Sequence, residues 1–497
     1  MPGTTIRTSD DREITLAQEE IDRLAASLRG QLLTPGMAGY DEARTVWNAM
    51  IDRRPALIAR CAGAADVVRA VRMAREHGLL VAVRGGGHNI AGNAVCDGGL
   101  MIDLTPMKGV RVDRASRTAT VEPGVTLGEF DRDAQLYGLA TPLGVNSTTG
   151  VAGLTLGGGF GWMSRKYGLT IDNLISADVV TADGETLRAS ATENPDLFWA
   201  IRGGGGNFGV VTSFEFRLHE VGPEVLSGLV VHPLSDARTV LRYYRDYIMR
   251  APDEMVCWFV LRQAPPLPFL ATDWHGKEIL ALAMIYFGDT AMGERTMEPL
   301  RRFGHPIADV VAPHPYAAWQ QVLDPLLVPG MRNYWKSHDF TELTDPMIEV
   351  LLRFAGRIPD PQTEIAMAQV GGAVSRVPDD ATAYSHRDAN WVMNVHGRWA
   401  DAAKDDQCIA WARELFQAAA PHATGGVYVN FLTGEEGERV SAAYGGNLDR
   451  LMQLKGRYDP TNLFRVNQNI RPTVTGAAAG YQAPLREAPR GETRAQP

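Results

Sequence analysis

The chain has 497 residues, 45% of them hydrophobic and 22% charged, with a formal net charge of -9. That length holds about two to four domains of ordinary size, and the composition excludes a mainly disordered chain. The acidic balance excludes the basic footprint of a nucleic-acid binder and gives no reason to expect a polyanionic substrate. Cys61, Cys96, Cys257 and Cys408 are scattered without a CxxC pair. They read as isolated reduced thiols, with neither a disulfide framework nor a metal site. The first residues carry no apolar signal core and no twin-arginine pattern, and no apolar run nears the ~20 residues of a membrane span. A cytoplasmic protein with no membrane partner is expected.

Apolar residues at helical spacing (Leu16, Ile21, Leu24, Leu28, Leu32) predict a helix over 11–33. A second helix runs over 64–78 and ends at Gly78. A compact apolar strand, 79–83, then enters Arg84-Gly85-Gly86-Gly87-His88-Asn89. Short strands are predicted at 100–104, 110–113 and 118–121, a helix at 125–137, a hairpin turning at Asp183-Gly184, and a short helix over 194–202 opened by Pro195. After residue 220 the glycine clusters stop and tryptophan becomes frequent. Helices (236–250, 291–303, 344–356, 401–419) alternate there with strands (224–231, 255–262, 278–287, 363–370, 391–397), the pattern of a second, α+β domain. A strand over 425–431 and a helix over 438–458 follow. Residues 473–497, rich in Ala, Gly, Pro and charge, read as a disordered tail.

Three glycine clusters fall within the first half: residues 84–89, 153–161 and 203–209. The third holds a formal G-x-G-x-x-G at Gly204, Gly206 and Gly209. A Rossmann site needs a strand before that pattern and a helix after it. Here the predicted helix comes first and the strand Val210–Phe216 follows, which disfavours an NAD site. No Walker A pattern is present, so ATP is not indicated. Glycine loops bring backbone N–H groups close to a ligand and form anion-holding nests. One large phosphate-bearing cofactor lying across the domain accounts for all three.

The motifs Arg84–Asn89, Thr149–Gly161, Arg165–Asn173 and Ala200–Thr212, with Lys455–Pro460 and Phe464–Ile470, resemble the berberine-bridge-enzyme-like FAD-linked oxidases. These are flavoproteins of the vanillyl-alcohol-oxidase type. The resemblance covers about residues 50–472, is specific for fold and cofactor, and is closest in pattern to singly linked bacterial members of the hydroxynicotine oxidase kind. It implies an α+β fold with a two-part FAD domain (1–220 plus 426–472). Between the parts, residues 221–425 would form a substrate domain laying an antiparallel sheet over the flavin.

What the resemblance implies about individual residues can be carried over position by position. His88 matches the histidine bonded covalently to the flavin. Arg84, Gly85, Gly86, Gly87, Asn89 and Gly92 surround it on the first loop. Asn146, Thr148, Thr149, Gly150, Gly153, Gly157, Gly158, Gly159 and Gly161 belong to the second. Tyr167, Asp172 and Asn173, then Gly209, Val210 and Val211, then Asn467 and Asn469, complete the cofactor set. Many relatives carry a second link through a cysteine where this chain has Asn146, so a single link is expected. Thr149 matches the position that gates oxygen, and a small β-branched residue there suits an oxidase.

Catalytic candidates follow from the same comparison. Read as a strand, 425–431 puts Tyr428 and Asn430 on one face, and the tyrosine matches one that serves as base in relatives. A free phenol titrates near 10, so its role is base or orienter. Gln369 takes the place where relatives put a carboxylate or tyrosine over the flavin, with Ile365 and Met367 on its face. His396 reads as a satisfied buried histidine, and His386-Arg387-Asp388 as a structural turn. Trp258, Phe259, Trp319, Tyr334, Trp335, Trp391 and Trp399 either line a pocket or fill core. The loop 264–270 either rims that pocket or contacts a partner in a homo-oligomer. The expected reaction is removal of hydride from a C–O or C–N bond of a small metabolite (sugar, alkaloid or similar), with oxygen as acceptor. A dehydrogenase of the same fold and a flavin carrier without turnover are the alternatives.

Overall fold

A computed structural model describes residues 3–473; the stretch 474–497, within the predicted tail, lies outside the described residues. Two larger sheets, beside two small two-stranded ones, form the N-terminal part. The strands Leu57–Arg60, Leu100–Asp103 and Val81–Arg84 run parallel, with Gln31–Leu33 antiparallel at the edge. One face is covered by apolar side chains of the helix Ala64–His77, which ends where Gly78 takes a left-handed conformation, and the other packs against Tyr40, Ala43 and Val46. A second, antiparallel sheet of five strands contains the hairpin Leu174–Val180 and Thr186–Ser190 together with Val210–Arg217. The helix Pro195–Ile201 precedes the third glycine cluster and the strand Val210–Arg217 follows it. This order is the reverse of the Rossmann order.

Residues 224–399 supply every strand of an eight-stranded antiparallel sheet. Its six longer strands lie in the order Glu224–Pro233, Glu278–Tyr286, Met255–Gln263, Glu364–Gln369, Trp391–Trp399, Arg332–Phe340, the last at one edge. One face is covered by the helices Ala237–Ile248, Asp345–Ala355 and Asp405–Ala419, around a core including Leu241, Tyr244, Phe259, Ile365, Met367 and Met393. The other face turns toward the N-terminal part and meets Trp162, Tyr384 and Tyr428. The C-terminal residues Val427, Leu451, Tyr458 and Ile470 pack with the five-stranded sheet, and Leu463 and Phe464 with the parallel one.

Four elements differ from the sequence reading; one is the helix over 438–458, which is two helices, Val440–Tyr444 and Leu448–Tyr458, parted by the 3-10 turn Gly445–Asn447. The segment 11–33 is not one helix; it is a strand (Glu13–Leu16), a helix (Gln18–Ser27) and a further strand (Gln31–Leu33). Its apolar spacing fits the helix only in the middle, and Gly30 marks the exit. The strand Arg332–Phe340, rich in polar and charged residues, has no apolar run to announce it. The predicted strand 425–431 is instead an extended approach ending in one 3-10 turn, Val429–Phe431.

The C-terminal segment is held by a buried cation. Lys455 is fully buried and its Nζ donates to Asp459 Oδ2 at 2.7 Å, to the carbonyl of Phe464 at 3.0 Å and to that of Asn207, in the third glycine cluster, at 2.7 Å. Removing one partner of a buried pair leaves the other charge uncompensated. Lys455→Met is therefore expected to cost about 3–5 kcal/mol, seen as a lower denaturation midpoint, whereas Arg69→Met on the exposed face of the second helix leaves the midpoint unchanged.

Candidate active site

The first two glycine clusters touch through their backbones. A β-carbon on Gly86 or on Gly150 would overlap the other's main chain, and Gly87 needs a φ of +70°. Beyond them opens a cavity of about 400 Å³ that runs to the inner face of the eight-stranded sheet. Gly85, Gly86, Gly87, His88 and Asn89 line it from the first loop; Asn146, Thr149, Gly150 and Gly153 from the second; Gly209, Val210 and Val211 from the third. Asn467 reaches it from the C-terminal segment, and Tyr428 and Asn430 from the turn before it.

Other predicted residues stand behind this wall. Gly157 and Gly158 give room to Asn430 and Tyr384, Gly159 to Thr170, and Gly161 to the carbonyl of Leu143. Arg84 turns back to the carbonyl of Ala43, and Gly92 lies against Ile51. Tyr167 stacks on His219 at 3.9 Å, whose Nε2 pairs with Asn173 Oδ1 at 2.7 Å. Asp172 takes a two-pronged ion pair from Arg387 at 2.7 and 2.8 Å. These residues shape loops and do not line the cavity. Asn469 is also off the wall; its Oδ1 is buried without a partner.

Gln369 is a correction of face. It lies with Ile365 and Met367 on the helix-covered side, where Oε1 accepts from the backbone N–H of Cys257 at 3.2 Å. Glu364, Ala366 and Ala368 are the residues of that strand that line the cavity. A chain segment buried on both faces puts its bulky apolar side into the helix-packed core and its small side toward the cavity. The alternation of large and small in Glu-Ile-Ala-Met-Ala-Gln carried that signal. The same parity brings Trp258, Val260 and Arg262, then Val392, Asn394 and His396, to the cavity from neighbouring strands. Trp335 joins them; Trp319, Trp391 and Trp399 are core. Pro265, Leu267 and Phe269 place the proline-rich loop at the cavity rim.

His88 stacks on Trp47, ring centroids 4.2 Å apart, with Nε2 3.4 Å from the Thr148 hydroxyl. Thr148 in turn donates to Asn146 Oδ1 at 2.7 Å. Burial, reinforced by His396, pushes the His88 pKa down to about 3, so the imidazole is neutral and its lone pair free. Tyr428 Oη accepts from the N–H of Gly159 at 3.1 Å and from Asn430 Nδ2 at 2.9 Å. Both donors favour phenolate, yet burial outweighs them and raises the pKa to about 12. Tyr428 and Asn430 are thus joined, though by a 3-10 turn and not by the shared face of a strand.

The cavity suits a flavin dinucleotide. Gly153 and Gly206 face open space where a side chain would fill it. Among the described residues, the only Arg, Lys, Asp or Glu on the wall are Arg262 and Glu364, which pair at 2.7 Å. A pyrophosphate would therefore be held by backbone N–H groups of the glycine loops and not by lysine or arginine. None of the four cysteines lines the cavity, and burial raises the pKa of each thiol, Cys96 to about 12 and Cys408 to about 11. Among the described residues no helix is long and apolar enough to cross a membrane, and no group of three or more His, Cys, Asp or Glu is placed to hold a metal.

Residues 55–190 match the family described as FAD binding domain, and residues 427–471 the one described as berberine and berberine like. An FAD-linked oxidoreductase of Dictyostelium discoideum is 32% identical over 92% of this chain and 98% of its own. The (R)-6-hydroxynicotine oxidase of Paenarthrobacter nicotinovorans is 32% identical over 90% and 97%. Among solved structures, 6-hydroxy-D-nicotine oxidase from Arthrobacter nicotinovorans superposes with a TM-score of 0.80 at 29% identity, covering 89% of this chain and 98% of that one. A xylooligosaccharide oxidase from Myceliophthora thermophila does so at 0.80 and 26%, covering 92% and 100%. With the glycine-lined cavity, the two-part match and relatives spanning almost the whole chain, this protein is a member of the berberine-bridge-enzyme-like family of FAD-linked oxidoreductases.

Proposed function

We propose that the protein is an oxidase whose FAD is joined by a single bond to His88 and which removes hydride from a C–O or C–N bond of a small, apolar, ring-bearing alcohol or amine. Oxygen is the proposed acceptor and hydrogen peroxide the second product. The observation that carries the substrate class is the wall beyond Tyr428. Trp258, Phe160, Phe431, Leu229, Val260 and Ala281 line it with apolar side chains. An oligosaccharide would strand its hydroxyls against such a surface. A nicotine oxidase is among the relatives and favours the same class; a sugar is the second reading, since oligosaccharide oxidases share the fold.

When bound, the FAD supplies the two-electron acceptor. The protein residues bind, orient and keep water out. The neutral His88, fixed between Trp47 and Thr148, is in the protonation state a nucleophile at the flavin edge requires. Thr149, small and on the wall, leaves space for oxygen. Tyr428 keeps its proton at neutral pH, and both of its hydrogen bonds within the protein are accepted ones. Its O–H is therefore a donor that orients the substrate heteroatom.

Acid precipitation tests the linkage: yellow colour stays with the wild-type pellet and moves to the supernatant in His88→Ala. Colour released from the wild type overturns the single bond. A panel of cyclic amines, phenolic alcohols and sugars under nitrogen tests the substrate class by bleaching of the flavin near ~450 nm. No bleaching by any compound favours a flavin carrier. Readmitted oxygen restores the colour within seconds in an oxidase; restoration taking minutes favours the dehydrogenase reading. Tyr428→Phe slows bleaching about 10- to 100-fold, the worth of one hydrogen bond to a charged group. Because its pKa is raised, the phenol stays protonated up to about 12, so the wild-type to variant ratio is constant from about pH 6 to 10.

A further inference from the structure

A row of four side chains crosses the cavity face of the large sheet on adjacent strands. Arg262 stands opposite Glu364, Glu364 opposite His396, and His396 opposite Trp335. Arg262 Nη1 lies 2.7 Å from Glu364 Oε2, and His396 Nδ1 lies 3.2 Å from Glu364 Oε1. Trp335 closes the row edge-on, 4.7 Å from the His396 ring. All four line the cavity. Nothing in the proposed function uses this row.

The chemistry of the pair fixes the imidazole's tautomer. Burial alone would raise the Glu364 pKa, but the Arg262 guanidinium and the His396 hydrogen bond overcome it and hold it at about 2. An ionised carboxylate only accepts hydrogen bonds, so Nδ1 carries the histidine's proton. The other nitrogen, Nε2, is then a lone-pair acceptor, and it is buried with no partner. The charged or titratable groups around His396 are Glu364, Arg262 behind it, Arg398 farther along its own strand, and His88 across the cavity. Burial lowers the His396 pKa, and Arg398 and Arg262 push the same way; the Glu364 bond and charge oppose without prevailing. A base for proton abstraction must be unprotonated before the step, which for an imidazole means neutral, and the cation it then becomes must be stabilised. Glu364 supplies the second condition. Tyr428 fails the first, because its raised pKa keeps the phenol protonated at neutral pH and its oxygen already accepts two hydrogen bonds.

We propose that His396, held by Glu364, takes the proton from the substrate's O–H or N–H, while Tyr428 only orients that heteroatom. In the step the heteroatom–hydrogen bond breaks and its proton goes to Nε2. The electron pair left on the heteroatom becomes the second bond of C=O or C=N, and the adjacent carbon's hydrogen leaves with its own electron pair for the oxidised FAD. The substrate thus loses two electrons and two hydrogens, one as proton and one as hydride. The imidazolium formed faces the Glu364 carboxylate and is deprotonated as oxygen is reduced to peroxide. Glu364 is a positioning residue, and Arg262 keeps it ionised. This division of roles rests on the oxidase reading above.

Two measurements test it, one independent of turnover. In holoenzyme labelled with 15N-histidine, the signal lost in His396→Gln is expected to show a protonated Nδ1 and an unprotonated Nε2 at pH 7. A protonated Nε2 at that pH overturns the proposal. Under nitrogen, with the compounds that bleach the flavin in the panel, His396→Gln slows bleaching by about 10²–10⁴-fold while the flavin stays in the acid pellet. The wild-type rate falls only below the ordinary histidine range near 6.5, as His396 becomes protonated. In Glu364→Gln the plateau drops and that acid limb moves to lower pH, because the imidazolium loses its carboxylate; a purely structural role would lower the plateau without moving the limb. A His396→Gln rate within threefold of wild type overturns the proposal. If Glu364→Gln does not fold, the wild-type spectrum and His396→Gln still decide. If no compound bleaches the flavin, the oxidase reading fails and the labelled spectrum alone judges the acceptor state.

Discussion

Gly86 and Gly150 approach so closely that neither can carry a β-carbon, and the near wall of the cavity follows from that. Two loops from different places in the chain are pressed together main chain to main chain. Leu127, Gly128 and Val151 hydrogen-bond across the adjoining strand-like segment at 2.9 Å. At Gly85, Gly86, Gly87, Gly150 and Gly153 the surface they leave toward the cavity is bare backbone. A polar, neutral floor is what a dinucleotide with a charged middle requires in a protein whose cavity offers no free cation among its described residues. The Lys455 clasp extends the same device to the third cluster, since the carbonyl of Asn207 is one of its three buried acceptors.

The cofactor half of the site was legible because glycine is specified by backbone geometry, which sequence records directly. Gly87 and Gly209, with φ of +70° and +151°, tolerate no other residue cheaply. Loop glycines alone, however, do not say which of them touch the ligand. Gly157 to Gly161 look identical in sequence to Gly85 to Gly87, yet they make room for Asn430, Tyr384, Thr170 and Leu143. The substrate half was less legible. On Glu364–Gln369 both faces are buried, so polarity does not mark the inward side and a one-residue error of parity exchanged Gln369 for Glu364. Side-chain size would have resolved it, with Ile365 and Met367 filling the helix-covered core and two alanines leaving the void. Arg332–Phe340 escaped for a related reason. Asn333, Lys336, Ser337, His338 and Asp339 are buried polar residues, and their partners, such as Asn48 and Phe416, lie far away in sequence.

Dryness ties the electrostatics of the two halves together. Burial is the largest influence on His88, His396, Tyr428 and Glu364 alike, and it acts against charge in every case. Three of these groups are therefore neutral near pH 7. Glu364 is the exception because a guanidinium and an imidazole N–H both point at it. A cavity that suppresses all but one compensated charge keeps the acceptor nitrogens of two histidines available. It also makes any charge that develops during reaction depend on the few groups placed to meet it.

The Arg262–Glu364 pair is expensive by the measure of stability. Two charges buried in a cavity wall recover their lost hydration only through good geometry, and apolar replacements of similar volume are often as stable or more so. The rest of the sheet shows that apolar residues are acceptable at neighbouring places, since Val260 and Ala366, next inward along the same strands, face each other without polar atoms. The pair therefore stands beside apolar neighbours on its own two strands, where Glu364 reaches an imidazole that lines the cavity. The cost is borne by the large core on the opposite face of the same strands, where Phe259, Leu261, Ile365 and Met393 are fully buried. The strands Met255–Gln263, Glu364–Gln369 and Trp391–Trp399 thus separate two tasks by parity: their odd residues hold the fold, and their even residues, released from that duty, carry the charge and the acceptor that face the cavity.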